Sequence, residues 1–108
     1  MKSPDLRYAK VNVVHLKKGK RRQNTGYLKE FFEQINKKVK GMRGFIVMDS
    51  LENTQETIVI TLWESKESMD EYYRADNKLL SDFVLKSAAN FESSPVRKDY
   101  EITDLYIY

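Results

Sequence analysis

Asn12 stands in the run "YAKVNVVHL", where apolar residues occupy both alternation phases. A carboxamide buried in a core strand costs about 1–3 kcal/mol if its hydrogen bonds go unmade, so such a strand excludes asparagine unless something there needs it. One reading is a directed amide in a cleft for a flat or aromatic ligand. The other is an asparagine that ties a loop or a helix end by hydrogen bonds, and the sequence leaves both open. Two aromatic residues are candidates to share such a cleft: Tyr72, on a helix that follows, and Trp63, at the base of that helix. Packing is the plainer role for both rings, because large aromatics dominate small cores.

The remaining polar chemistry is sparse. With no cysteine and a single histidine, His15, the chain has no thiol nucleophile, disulfide, iron–sulfur cluster or multi-histidine metal site, and no metal is expected. His15 shares the alternation phase of Val11 and Val13, which places it at a strand end or an interface, away from Asn12. The stretch "KKGKRR" holds Lys17, Lys18, Lys20, Arg21 and Arg22. It reads as a solvated basic turn, or as the source of one or two cations, Arg22 among them, for anionic groups on a ligand.

These residues need elements to position them. Tyr8 to Leu16 is expected as a strand covered on both faces. Leu28, Phe31, Phe32, Ile35 and Val39 recur at helical spacing, with Gly41 placed to end that helix. "GFIVMDSLE" and "ETIVITLWE" are β-branched runs joined by "NTQ", the pattern of two antiparallel strands. Ser65 is placed to cap a second helix carrying Met69, Tyr72 and Tyr73; Leu79, Leu80, Phe83 and Val84 continue its apolar face after a break at "ADN". Beyond Pro95, "YEITDLYIY" alternates as a last strand. The order β-α-β-β-α-β predicts an α+β, ferredoxin-like sandwich with a four-stranded antiparallel sheet and both helices on one face. The other face would carry Ala9, Val11, Val13, Ile58, Ile60, Leu62, Leu105 and Ile107, an apolar surface too large to leave in water. A homodimer packed face to face is therefore expected, ahead of a monomer whose C-terminal strand curls over that face.

At 108 residues the chain is expected to be one domain, residues 1–108. Lys plus Arg number 19 against 16 acids, a net +3 with no basic stripe, so no nucleic-acid partner is expected. No apolar run approaches the roughly 18 residues of a membrane span, and the first residues contain no apolar signal core. The expectation is a soluble, cytoplasmic protein without a membrane partner.

The segments "NVVHLKKG", "GMRGFIV" followed by "LEN", "TLWESKESMDEYY" and "ESSPVRKDYEITDLYIY" resemble the antibiotic-biosynthesis monooxygenase superfamily of dimeric α/β barrels. Within it, the strand-one Asn and "ESSP" are similar to the heme-degrading monooxygenases of the Isd type. That resemblance implies a heme as substrate and cofactor, degraded with oxygen and an external electron donor such as a reductase. Asn12 would hydrogen-bond the oxygen-side ligand of the iron, and Tyr72 falls where the branch has the tryptophan that ruffles the porphyrin. The axial histidine falls on Asp82, a hard oxygen donor where heme iron takes His, Cys, Met or Tyr. Phe83 beside it and Arg22 complete the implied heme contacts. The superfamily also implies two alternatives: a cofactor-independent oxygenase of a small aromatic compound using Asn12, Trp63 and Tyr72, and a non-catalytic binding module that lost the axial histidine.

Overall fold

Among the described residues four strands and three α-helices follow one another as β1 (Tyr8–His15), α1 (Arg21–Ile35), β2 (Met42–Asp49), β3 (Glu56–Trp63), α2 (Lys66–Tyr72), α3 (Lys78–Ser87) and β4 (Val96–Glu101). This computed structural model describes residues 6–108, so the first five residues of the expected domain lie outside it. All pairings are antiparallel, in the order β2-β3-β1-β4. The ferredoxin-like sandwich is present, with its second helix in two pieces.

The break between those pieces has a local cause. The side chain of Ser65 accepts a hydrogen bond from the Ser68 amide at 3.2 Å and starts α2. Asn77 does two jobs: its Oδ1 accepts from the Leu80 amide at 3.2 Å to start α3, and its Nδ2 donates to the Tyr72 carbonyl at 2.7 Å. One carboxamide thus satisfies backbone groups on both sides of the break.

The end of the first helix and the place of the last strand differ from expectation. The first helix ends at Ile35, not at Gly41, because Asn36 leaves the helical region and Lys37 takes a left-handed φ of 59°. Val39 still packs against the core from the turn, which is why its spacing looked helical. Gly41 instead serves the turn into β2, with φ at 80° and no room for a Cβ beside Ser68. The last strand is Val96–Glu101 rather than "YEITDLYIY". It pairs with the stretch of β1 from Tyr8 to Val13, so the chain beyond Glu101 has passed the end of its neighbour. Leu105 and Ile107 consequently do not belong to the sheet, and Ile107 is largely exposed.

Register assigns the sheet's two faces. Asn12 lies opposite Val59 on one side and Arg97 on the other, so these three residues share the face under the helices. That face is packed by Leu28, Phe31, Phe32 and Ile35 from α1, Met69 and Tyr72 from α2, and Trp63 from β3. Phe32 stacks on Phe45 of β2 and Phe31 on Phe83 of α3. On the opposite face the pairs Val11–Ile60, Val13–Ile58, Ile46–Ile60 and Met48–Ile58 form a continuous apolar surface. Ile46 and Met48 stay 43% exposed there, and no described helix covers them.

Candidate functional site

Asn12 points into a cavity between sheet and helices whose apolar wall comes from Val14 and Val59 of the sheet, Leu28, Phe31 and Phe32 of α1, and Leu80, Phe83 and Val84 of α3. Its polar lining is Asn12, Asn24, Thr61, Tyr72, Tyr73 and Arg97; among the described residues no Asp, Glu or His lines it. Both ends of the Asn12 amide are engaged. Nδ2 donates to the Val59 carbonyl at 2.9 Å and Oδ1 accepts from Arg97 Nε at 3.0 Å. The residue therefore acts within the protein as a brace that fixes the Arg97 guanidinium. Asn12→Ala is expected to cost about 1–3 kcal/mol, since it strips partners from two groups at once. Urea unfolding checks this, and an unchanged midpoint would deny the brace.

Tyr72 presents the least expected feature. Its ring is buried, yet its hydroxyl has no hydrogen-bond partner among the described residues. Burial pushes that phenol well above the ordinary tyrosine range, with Tyr73 adding to the rise and Arg97 opposing it. The hydroxyl stays protonated and can donate. Tyr73, edge-on to Tyr72 at 5.0 Å, differs: its hydroxyl shares a 2.9 Å hydrogen bond with Thr61 Oγ1. Burial raises its pKa too, while the nearby Thr61, Asn12 and Arg97 side chains oppose the rise. The Tyr73 ring also carries two cations, Lys10 at 4.4 Å and Arg97 at 5.0 Å from its centroid.

Trp63 is fully buried, and its Nε1 donates to Thr61 Oγ1 at 2.9 Å. It supports Tyr72, 5.3 Å away between ring centroids, from behind and is not on the cavity wall. The three residues expected to act together are therefore neighbours, but only Asn12 and Tyr72 face the space.

The expected heme contacts separate. Leu80, Phe83 and Val84 turn inward at spacings of three and four, so Asp82 turns outward, where it pairs with Lys78 at 3.1 Å. Phe83 does line the cavity. Arg22 lies in the first turn of α1, exposed and off the wall, and the basic run is partly helix rather than loop. Its neighbour Arg21 is structural, donating to the Ser50 and Asn53 carbonyls. His15 pairs with Glu56 at 3.3 Å on the far face of the sheet. No axial donor of the usual kind therefore reaches the cavity except the two tyrosines, and burial holds both away from the phenolate form. The cavity measures about 60 Å³, against ~300–1,000 Å³ for pockets that enclose drug-sized ligands. The residues present do not fit a heme in this conformation.

Asn24 and Arg97 were not singled out from the sequence, although Asn24 carried a signal. It falls four residues before Leu28, in phase with Phe31, Phe32 and Ile35, a polar residue on an apolar stripe just as Asn12 is. Arg97 lies ahead of the alternating run "YEITDLYIY", so its place on the sheet is not visible in the pattern.

A family model described as antibiotic biosynthesis monooxygenase matches residues 7–77. Among solved structures, a conserved protein from Methanosarcina mazei Go1 superposes with a TM-score of 0.75 at 18% identity, covering 90% of this chain and 93% of its own. The NE2512 protein of unknown function from Nitrosomonas europaea gives 0.78 at 9% identity, over 98% of both chains. Rv0793 from Mycobacterium tuberculosis gives 0.73 at 12%, over 92% and 97% respectively. At these identities the likeness is one of fold. No curated protein matches the chain. Among the described residues no helix is long and apolar enough to cross a membrane, and no group of side chains is arranged to hold a metal ion.

Proposed function

The chain belongs to the antibiotic biosynthesis monooxygenase family, matched over residues 7–77, and from that premise we propose that it is a cofactor-independent oxygenase of a small, electron-rich aromatic compound. The observation that carries this reading is the Tyr72 hydroxyl, buried without a partner at an apolar cavity. A donor left unsatisfied there costs folding free energy, and it is of use only when a ligand oxygen comes within reach. The aromatic wall formed by Phe31, Phe32 and Phe83 suits a flat ring.

The chemistry needs little from the protein. The ionised substrate passes one electron to dioxygen, and the radical pair joins as a peroxide on carbon. Loss of the C–H proton and the O–O bond then leaves a carbonyl and one water, so the substrate supplies every electron. Tyr72 donates a hydrogen bond to the peroxide oxygen, and the apolar wall excludes water from it. A single ring needs more room than the closed cavity gives, as an engineered apolar cavity that takes up benzene measures ~150 Å³. An outward shift of α3 supplies it. That helix packs through Leu80, Phe83, Val84 and the buried Ser87, with Lys86 reaching Glu30 and the Tyr27 ring of α1 at the surface, while Leu85 on its outer side is 73% exposed.

The open sheet face belongs to the same reading: a second copy covers it and makes a homodimer with one cavity per subunit.

Oxygen uptake by purified protein with a panel of quinols, anthrones and hydroxynaphthalenes, in the presence of a chelator, tests the activity. The expected result is one dioxygen consumed per product, with label from dioxygen in the new carbonyl. A titration with hemin in parallel should leave the Soret band of free hemin unshifted at stoichiometric ratio. Uptake no faster than in buffer alone across the panel sinks the oxygenase reading and favours a binding module. A saturable Soret shift followed by its loss with ascorbate in air would restore heme.

A further inference from the structure

Arg97, exposed to solvent on the edge strand β4 at the rim of the cavity, is the one cation among the described residues that line it, and no carboxylate of the described residues forms an ion pair with it. Its Nε is taken by Asn12, but neither Nη nitrogen has a hydrogen-bond or carboxylate partner among the described residues. The adjacent cation differs, because Lys10 is paired with Asp99 at 3.0 Å. The Asn12 brace and the Tyr73 ring together hold the guanidinium in one orientation, with its free edge unclaimed. A second group on the wall is also unclaimed. Asn24 is 2% exposed, lines the same cavity from α1, and its carboxamide makes no hydrogen bond to any described residue.

What the wall lacks matters equally. With no carboxylate or imidazole there among the described residues, a neutral substrate would find no base on the wall to take its proton. An acid that ionises readily needs none, since a fixed cation at the edge of an apolar space favours the anion.

Resting on the oxygenase reading, we propose that Arg97 and Asn24 set the substrate class: an acidic phenol or enol bound as its anion, its charged oxygen on the Nη edge of Arg97 and a second oxygen substituent on the Asn24 carboxamide. Arg97 then stabilises the anion, so that the proton passes to water without a base on the wall. Asn24 decides which ionised rings are accepted.

The probes are 4-nitrophenol, whose coloured anion reports its own ionisation, and its methyl ether, 4-nitroanisole, which has no proton to lose. Their electron-poor rings resist oxidation, so binding is read apart from turnover. Bound 4-nitrophenol is expected to titrate about one pH unit or more below the free compound, and the ether to bind about tenfold more weakly. Arg97→Gln should abolish both differences, and Arg97→Lys should retain part of the titration shift. Asn24→Leu, of similar size, should leave that shift intact but remove the advantage of 4-nitrocatechol over 4-nitrophenol, expected at about fivefold. Equal binding of phenol and ether by the unmodified protein, with the titration unshifted, overturns this inference and leaves the oxygenase reading standing. Selective phenolate binding with no oxygen uptake from any quinol does the reverse.

Discussion

Tyr72→Phe is expected to lower turnover by about a hundredfold or more while raising the stability of the fold by about 1 kcal/mol. The two effects have opposite signs for one reason. In the free protein the Tyr72 hydroxyl is buried and unpaired among the described residues, so deleting it removes a desolvation penalty and leaves the ring's packing against Trp63 and Tyr73 in place. In the reacting complex the same hydroxyl faces the oxygen that takes up charge, where a positioned donor has its largest influence. Thermal unfolding should show a midpoint higher by about 4 °C, and steady-state oxygen uptake should show the loss in kcat. A variant of undiminished activity would remove Tyr72 from the mechanism. A less stable variant would mean that the hydroxyl has a partner in solution.

Ile60→Asp is expected to turn a dimer into a monomer without unfolding the subunit. Ile60 sits at the middle of the open sheet face, opposite Val11 of β1 and Ile46 of β2. If two copies meet there about a twofold axis, each substitution buries a carboxylate with nothing to pair it, at a cost of about 3–5 kcal/mol. The dissociation constant should rise by about a thousandfold at the middle of that range for each of the dimer's two substitutions. Within the subunit the site is half-buried and lies on the side away from Trp63, Phe31 and Phe32, so tryptophan fluorescence should not change. Sedimentation of the unmodified protein is the decisive control: a monomer at micromolar concentration would refute the interface itself.

Much of this architecture was legible residue by residue. The β-branched runs Ile58–Leu62 and Val11–Val14 announced strands, the helical spacing of Leu28, Phe31, Phe32 and Ile35 announced α1, and Ser65 announced the start of α2. Local pattern carries that information because burial on one face imposes a period on the chain itself. Where two conformations satisfy the same period, the pattern is silent. Val39 packs on the core from a turn as well as it would from a helix, and the alternation of "YEITDLYIY" says nothing of whether a neighbouring strand is still there to pair with.

The candidate site divides along the same line. The alternation phase of Asn12 was enough to turn it toward the helices and His15 away from them, and composition alone removed thiol and multi-histidine chemistry. Only the tertiary structure could bring Arg97 beside Asn12, 85 residues away in the chain, because strand register is fixed by pairing and not by either strand alone. Only the tertiary structure could turn Asp82 outward, since the break at Asn77 restarts the helix in a new phase and each residue along it rotates by about 100°. An unpartnered hydroxyl such as that of Tyr72 is likewise invisible in sequence: whether a polar group is satisfied depends on every atom around it, and those atoms come from different strands and helices.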